Sequence, residues 1–178
     1  AEPATPTPTK LIVPTGNAKL GLLLQYWLVN DSTGTNLNNR LRRAEIKLAG
    51  SVAENTRWFV MVDPAKTMRT GAIAQTNDNK ILQDLGIGFS VCPEIEVLFG
   101  QFKTPTTAEG LDSTSELLFV ERAYFARTFG DRREPGVMIT YTNPTLKLSL
   151  MESNGQGTNV DDTVARNEKD LHFRVDGT

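Results

Sequence analysis

Hydrophobic residues recur at every second position through most of the chain. Within residues 19–30, Leu20, Leu22 and Leu24 share one face, whereas Gln25 and Trp27 fall on the other. A period of two is typical of β-strands, whose successive side chains point to opposite faces of the sheet. The pattern predicts eight strands, at residues 19–30, 40–51, 56–62, 81–90, 95–102, 136–142, 146–152 and 170–175.

The connections between these strands alternate between short and long. Tight turns are predicted near residues 54–55, 93 and 143–144, and strands joined in this way form an antiparallel up-and-down meander. The long connections are polar and fall at residues 31–39, 63–79, 104–133 and 153–169. Outer-membrane barrels alternate short turns with long loops, although a soluble β-sandwich gives the same strand count. In the longest connection, residues 113–128 are predicted to be helical, and a connection of this length is usually functional.

Composition narrows the class of protein. The chain has 19 Lys and Arg against 21 Asp and Glu, a formal net charge of −2. This balance is too even for a nucleic-acid binder, so we expect no nucleic-acid partner. The longest charge-free run, residues 135–146, is shorter than the ~20 apolar residues of a membrane-spanning helix, whereas a spanning β-strand needs only about nine to eleven. Composition therefore excludes the helical membrane class and leaves the barrel class open.

The chain divides into a tail and one domain. Residues 1–17 are rich in Pro and Thr, a composition that favours extended and solvated conformations. We therefore expect a flexible N-terminal tail, followed by a β-barrel domain over residues 18–178.

No set of residues predicts catalysis, a metal site or another cofactor. Cys92 and His172 are the only cysteine and the only histidine, which excludes a disulfide framework, a Cys-rich zinc site and a His-based cluster. Counting alone leaves open a nucleophile and base formed by this pair. Cys92 lies in a predicted turn, however, with no helix start or Gly-rich elbow beside it to activate the thiol. We therefore expect a protein that is not an enzyme.

Three pieces of the sequence, in this order, resemble the phosphate-selective porin O/P family of Gram-negative outer membranes. They are the Arg-Arg strand at residues 41–50, the Gly-Gln-Phe-Lys-Thr-Pro motif at residues 100–105 with its continuation at 117–122, and the segment at residues 133–138. The resemblance implies a sixteen-stranded transmembrane barrel, usually a trimer, whose long third loop folds inward and narrows the pore. The eight strands predicted here then form the N-terminal half of a larger porin. The other possibility is a complete short barrel, whose lumen would be filled by side chains.

The resemblance also implies which residues line the pore. The family combines paired arginines on the second strand with a lysine and hydroxyl residues at the third loop. The corresponding positions here are Arg42, Arg43, Lys103, Thr106 and Thr107. Arginine suits phosphate because its planar fork donates two parallel hydrogen bonds, and lysine adds a compact charge. The charged residues predicted for the constriction loop lie on or after the long connection and are Glu121, Arg122, Arg132 and Arg133. Their mixed charges either pin the loop to the wall by ion pairs or form a solvated charged surface.

Strand phase alone leaves the direction of some of these side chains open. Arg42 and Arg43 are adjacent, so a regular strand points them to opposite faces. Arg43 shares the expected lumenal face with Lys47, whereas Arg42 turns inward only at a bulge. Lys103 is in phase with outward-facing residues unless the backbone turns near Gly100.

The expected function is an outer-membrane porin for passive diffusion of small hydrophilic solutes, with a bias towards anions such as phosphate. The expected partners are small anions or other small solutes, outer-membrane lipid, and further copies of the chain in a trimer. Two alternatives remain. One is a non-conducting structural outer-membrane β-protein. The other is a secreted soluble β-sandwich binding module, which would lack an outward band of apolar residues.

Overall fold

The structure, a computed structural model, describes residues 17–30, 34, 37–67, 81–160 and 169–177. Eight antiparallel strands form one sheet, and their order in space follows the sequence. The strands are β1(Ala18–Asn30), β2(Leu37–Ala53), β3(Thr56–Val62), β4(Leu82–Cys92), β5(Ile95–Lys103), β6(Arg133–Thr142), β7(Leu146–Ser153) and β8(Asp170–Gly177). The single sheet confirms the predicted meander. The sandwich alternative is wrong, because a sandwich requires two packed sheets. Apart from residue 17, the predicted N-terminal tail lies outside the described residues.

The predicted strands agree with the observed ones to within a few residues at most ends. The largest differences are that β2 starts at Leu37 instead of residue 40 and β6 starts at Arg133 instead of residue 136. The residues before Gly136 pair with the end of β5, and Pro135 lies opposite Gln101. Pairing with β5 therefore extends β6 towards its N-terminus, and the local sequence pattern does not reveal this pairing.

The two outermost strands each have one paired edge among the described residues. β1 pairs with β2, and β8 pairs with β7. Strand edges that carry free backbone donors and acceptors are templates for further strands.

One face of the sheet is apolar and carries exposed large hydrophobic side chains on every strand except β3, and we call it the apolar face. Its exposed large hydrophobic side chains include Leu22, Leu24, Ile46, Leu48, Leu85, Ile87, Phe99, Val137, Ile139, Leu150, Leu171 and Phe173. Water-facing surfaces rarely carry so wide a continuous apolar patch. Strands that face lipid do carry an outward apolar band.

The opposite face, which we call the loop face, carries a small buried core beneath charged and polar residues. Leu98 on β5 lies opposite Met138 on β6, which lies opposite Met151 on β7. Leu98, Met151 and Phe102 are buried, and Phe59 packs against them. This core fills one part of the loop face, and buried polar side chains such as Arg43, Glu45 and Ser149 occupy other parts of the sheet.

The long connection between β5 and β6 folds over the loop face as three short helical turns. They are α1(Ala108–Leu111), a 3₁₀ turn at Thr114–Glu116 and a π-helical turn at Ala126–Gly130. The prediction of one helix over residues 113–128 is therefore wrong. Ser113 accepts a backbone hydrogen bond at the start of the 3₁₀ turn, which ends at Glu116, and the π-helical turn begins only at Ala126. None of the described helices is long and apolar enough to cross a membrane.

A close approach of two strands at Gly100 changes the direction of the side chains that follow it. Gly100 has a φ of 131°, and a Cβ there would lie 2.1 Å from the carbonyl oxygen of Leu85. Only glycine fits such a position. After this residue the alternation breaks, so Gln101 and Phe102 are both buried. Lys103 consequently reaches over the loop face, which corrects the outward direction that an unbroken strand would give it.

Candidate functional site

A β-bulge at Arg42 brings two adjacent arginines to the same partner. In the register of β1 and β2, Gln25 lies opposite Arg43 and Tyr26 lies opposite Leu41, so Arg42 is an extra residue. Such a bulge re-aims a side chain. The Nε of Arg42 lies 2.6 Å from Oε1 of Glu121, and Nη2 of Arg43 lies 2.8 Å from its Oε2. Arg42 thus points to the loop face, in contrast to the phase of a regular strand.

Glu121 anchors the middle of the 104–132 segment to β2. Its carboxylate accepts three hydrogen bonds, two from Arg42 and one from Arg43. Burial alone would raise the pKa of the Glu121 carboxyl, but the hydrogen bonds and positive charges of the two arginines outweigh it. The pKa therefore lies below its ordinary value, and the anchor is charged at neutral pH.

Further contacts hold the ends and the tip of the same segment. Thr114 Oγ1 donates to Oε1 of Glu45 on β2 at 3.2 Å. Lys103 Nζ donates to the carbonyl oxygen of Asp112 at 3.0 Å, just beyond α1. Arg122, which is buried, donates within the segment from Nη2 to the same carbonyl oxygen at 2.6 Å. The segment is therefore held at several points along its length.

Asp131 joins the end of this segment to the sheet. Arg133 Nη1 donates to Asp131 Oδ1 at 3.2 Å, and its Nε donates to Oδ1 of Asp84 on β4 at 2.7 Å. Lys103 and Arg122 also lie within ion-pair distance of Asp131, at 3.7 and 3.5 Å. One carboxylate thus faces three cations, which keeps the local balance positive.

A cleft of about 660 Å³ opens between the 104–132 segment and the sheet, and we call it the cationic cleft. Its lining residues are Trp27, Arg40, Arg42, Lys66, Gln83, Glu121, Arg127, Asp131, Arg132, Arg133, Gly157 and Thr158. Six of them are cationic and two are anionic. The volume lies within the range of about 300–1,000 Å³ that is typical of small-ligand sites. The cleft is therefore large enough for small anions and electrostatically suited to them.

Half of the cations in the cleft form no ion pair with a carboxylate of the described residues. Arg42, Arg132 and Arg133 form ion pairs with carboxylates, at 2.6, 2.9 and 2.7 Å. Arg40, Lys66 and Arg127 form none with the carboxylates of the described part of the chain. These three side chains contribute positive charge that no described carboxylate contacts directly.

The pKa of Lys66 reflects its burial among other positive charges of the cleft. Burial lowers the pKa of its ammonium group, and the positive charges of Arg133 and Arg42 lower it further, against the opposing effect of Asp63 and Asp131. A positive group whose charged form is disfavoured gains stability when an anion binds nearby. The lowered pKa is thus consistent with a site that is completed by an anion.

Trp27 holds two of the arginines in place. The guanidinium carbons of Arg40 and Arg42 each lie 5.6 Å from the centre of its ring. This distance is typical of a cation–π interaction. Trp27, Arg40 and Lys66 were not predicted from the sequence. The Arg-x-Arg spacing of residues 40 and 42 was a usable signal, whereas Lys66 stands alone in a polar connection.

The remaining predicted pore residues lie outside the cationic cleft. Lys47 and Lys103 line a second cavity of about 310 Å³, and Arg43 Nη2 donates to Oε2 of Glu121 at 2.8 Å. Thr107 Oγ1 accepts a hydrogen bond from Gly110 N at the start of α1. Thr106 Oγ1 lies 3.0 Å from the Thr104 hydroxyl oxygen. The structure therefore brings together Arg42, Glu121, Arg132 and Arg133, but not the two threonines or the two lysines.

A second polar cluster was not found from the sequence. Glu134, Asp170 and His172 place one potential metal-ligand atom each within 4.8 Å of the others. Asp170 and His172 are two residues apart on β8 and share a face, which was a usable signal, whereas Glu134 comes from β6.

The pair of Cys92 and His172, which the residue counts left open as a nucleophile and base, is not brought together. Cys92 ends β4 beside a tight turn, while His172 lies near the long connection that precedes β8. The two residues thus lie toward opposite ends of the strands.

The fold and the cleft together define a class of protein. A sequential antiparallel sheet with an exposed apolar face, alternating short and long connections, and a long segment folded over a cation-rich face is typical of porins. The family model of the phosphate-selective porins O and P matches residues 24–176, and the chain belongs to this family. This match confirms the resemblance found in the sequence, and the family is one of outer-membrane proteins. A search of curated proteins gave no significant match.

Proposed function

We propose that this protein provides a path for passive diffusion of small hydrophilic solutes across the bacterial outer membrane, with a preference for small anions such as phosphate. In this proposal the 104–132 segment forms the constriction. Arg40, Arg42, Lys66 and Arg127 contact the solute, while Arg43 and Lys103 position the segment. Porins work without catalysis, and the proposed role includes no enzymatic step.

The observation that carries the proposal is the excess of cations in the cleft. Six cations face two anions there, although the whole chain has a formal net charge of −2. Positive charge gathered between low-dielectric walls focuses the field and raises the local concentration of anions. A guanidinium also replaces part of the hydration shell of phosphate through paired hydrogen bonds. The local charge thus favours anions despite the overall acidity.

We also propose that the sheet is part of a closed barrel. Its apolar face matches lipid, and the outer edges of β1 and β8 offer backbone groups for further strands. Eight strands alone enclose only a side-chain-filled interior, so a conducting path of this kind needs more of them. We propose a barrel of sixteen strands assembled as a trimer.

The test is electrical recording in planar lipid bilayers. We expect the purified protein to conduct, to show a reversal potential of anion-selective sign in a KCl gradient, and to lose chloride current when phosphate is added. The double variant Arg40→Gln/Arg127→Gln removes two cleft cations that form no described ion pair, so it should weaken both effects. The matched control Lys19→Gln/Lys147→Gln removes the same charge outside the cleft and should leave both effects unchanged.

Two outcomes contradict this function. Selectivity for cations, or equal behaviour of the cleft variant and its control, would refute the anion path. Failure of well-inserted protein to conduct in any assembly would favour the non-conducting structural role instead.

A further inference from the structure

A second site lies beside the cationic cleft, where β6, β7 and β8 meet the long connections. Ser153 on β7 lies opposite both Gly136 on β6 and Asp170 on β8. Side chains two residues apart on a strand share a face, so Glu134 and His172 join Ser153 and Asp170 on the loop face. Potential ligand atoms of Glu134, Asp170 and His172 lie within 4.8 Å of one another.

Glu134 is the fixed part of this cluster. The residue is only 1% exposed. Its Oε2 accepts hydrogen bonds from Ser153 Oγ at 2.6 Å and from Gly155 N at 3.0 Å. Its Oε1 is buried and accepts no hydrogen bond from the described residues, and Arg132 Nη2 forms an ion pair with it at 2.9 Å. A buried carboxylate oxygen without a hydrogen bond is costly, and a cation that binds it directly removes that cost.

His172 is oriented by the same serine. Its Nε2 lies 3.2 Å from Ser153 Oγ, which also binds Glu134. Hydrogen bonds of this kind fix the rings and carboxylates that bind metals. Asp170 is exposed at the start of β8 and is free to adjust its position. The cluster thus combines two oriented ligands with one adaptable ligand.

We propose that Glu134, Asp170 and His172 bind a divalent transition-metal ion, with Zn²⁺ as the favoured ion. One imidazole and two carboxylates form a ligand set suited to Zn²⁺ and its neighbours in the first transition series. The ion replaces the guanidinium of Arg132 as the counter-charge of Glu134. The site adjoins the cationic cleft through Arg132, and its existence does not depend on conduction.

The test uses Co²⁺ as the spectroscopic probe, added to the purified full chain in detergent. We expect stoichiometric binding, visible as a change in the absorption of Co²⁺ from that of the hydrated ion, and displacement by Zn²⁺. His172→Ala and Asp170→Asn should each weaken binding by more than about tenfold, since even outer partners of metal ligands contribute that much. Asp176→Asn, a change on the same face of β8 outside the cluster, is the matched control and should bind as the unaltered protein does.

A further variant separates this site from nonspecific metal binding. Arg132 competes with the ion for Glu134, so Arg132→Gln should tighten Co²⁺ binding by roughly threefold or more, because a nearby positive charge is removed. The Asp170 variant changes an exposed side chain and keeps the test interpretable if the His172 variant fails to fold. A spectrum that stays that of hydrated Co²⁺, or affinities that are equal in all variants, would overturn the proposal.

Discussion

The anchor at Glu121 gives the sharpest test of how the constriction segment is held. Glu121→Gln keeps the size of the side chain but removes its charge. Arg42 and Arg43 then face a neutral amide, and one carboxylate oxygen becomes an NH₂ group that cannot accept their hydrogen bonds. We expect the 104–132 segment to detach from β2 more often while the sheet stays intact.

The magnitude follows from the three hydrogen bonds that the carboxylate accepts. Hydrogen bonds to charged groups contribute about 1.5–3 kcal/mol each and neutral ones about 1 kcal/mol. The side chains of Arg42, Arg43 and Glu121 are 17%, 6% and 20% exposed, so solvent screens the interaction only in part. We therefore expect the free energy of local opening to fall by about 3 kcal/mol, which corresponds to roughly a hundredfold in the opening equilibrium.

Hydrogen exchange measured by mass spectrometry reports this opening directly. Peptides that cover residues 114–125 should exchange about a hundredfold faster in the Glu121→Gln variant, and peptides from β4 and β6 should not change. The control is Glu116→Gln, which removes the same charge from an exposed residue of the same segment. Glu116 forms no ion pair with any described residue, so its replacement should have no effect.

Two results would refute the argument. If exchange in the segment is no faster in the Glu121 variant than in the control, the arginine pair does not hold it. If exchange accelerates equally in the strands, the substitution unfolds the sheet, and the anchor is not local.

Three further predictions follow from the same structure. Because the pKa of Glu121 is lowered from 4.5, its contribution is complete above about pH 4.5 and is lost as the pH falls through the lowered value. Single-channel current noise should therefore rise only under acidic conditions. In Gly130→Ala, a Cβ would lie 1.8 Å from Thr107 Oγ1, so proteases should cut the 104–132 segment faster, whereas Gly177→Ala, which meets open space, should be neutral. Leu24→Arg places a charge on the apolar face, at a cost of about 2–4 kcal/mol near the middle of a bilayer. It should reduce the yield of folded protein, measured as the fraction whose gel mobility changes when the sample is heated.

The sequence predicted the strands well because each strand leaves a local mark. A period of two needs only neighbouring residues to be visible, and the short turns separate one strand from the next. The direction of Arg42 was not predictable in this way. Its bulge is a property of the pairing between β1 and β2, and nothing within β2 alone requires it. The helical prediction for residues 113–128 failed for a related reason, since Glu121 is held by arginines of a distant strand.

The cationic cleft and the Glu134 cluster differ in how many of their residues could be predicted from the sequence. The family resemblance supplied Arg42, and the charges of the long connection supplied Glu121, Arg132 and Arg133; these four residues meet at the cationic cleft. It did not supply Lys66, because no periodic pattern marks a single lysine in a connection. The cluster of Glu134, Asp170 and His172 was excluded by a count of histidines, although a single histidine suffices when two carboxylates lie beside it.

The amino-acid sequence by itself determined the number, order and two-faced character of the strands, because alternation and short turns act between neighbouring residues. It also determined the family. The tertiary structure decided which charges lie together. Strand pairing, the bulge at Arg42 and the close approach at Gly100 bring side chains from separate strands and connections to one side of the sheet. In a chain of nearly balanced charge, a cation-rich cleft exists only because long-range contacts select which side chains become neighbours.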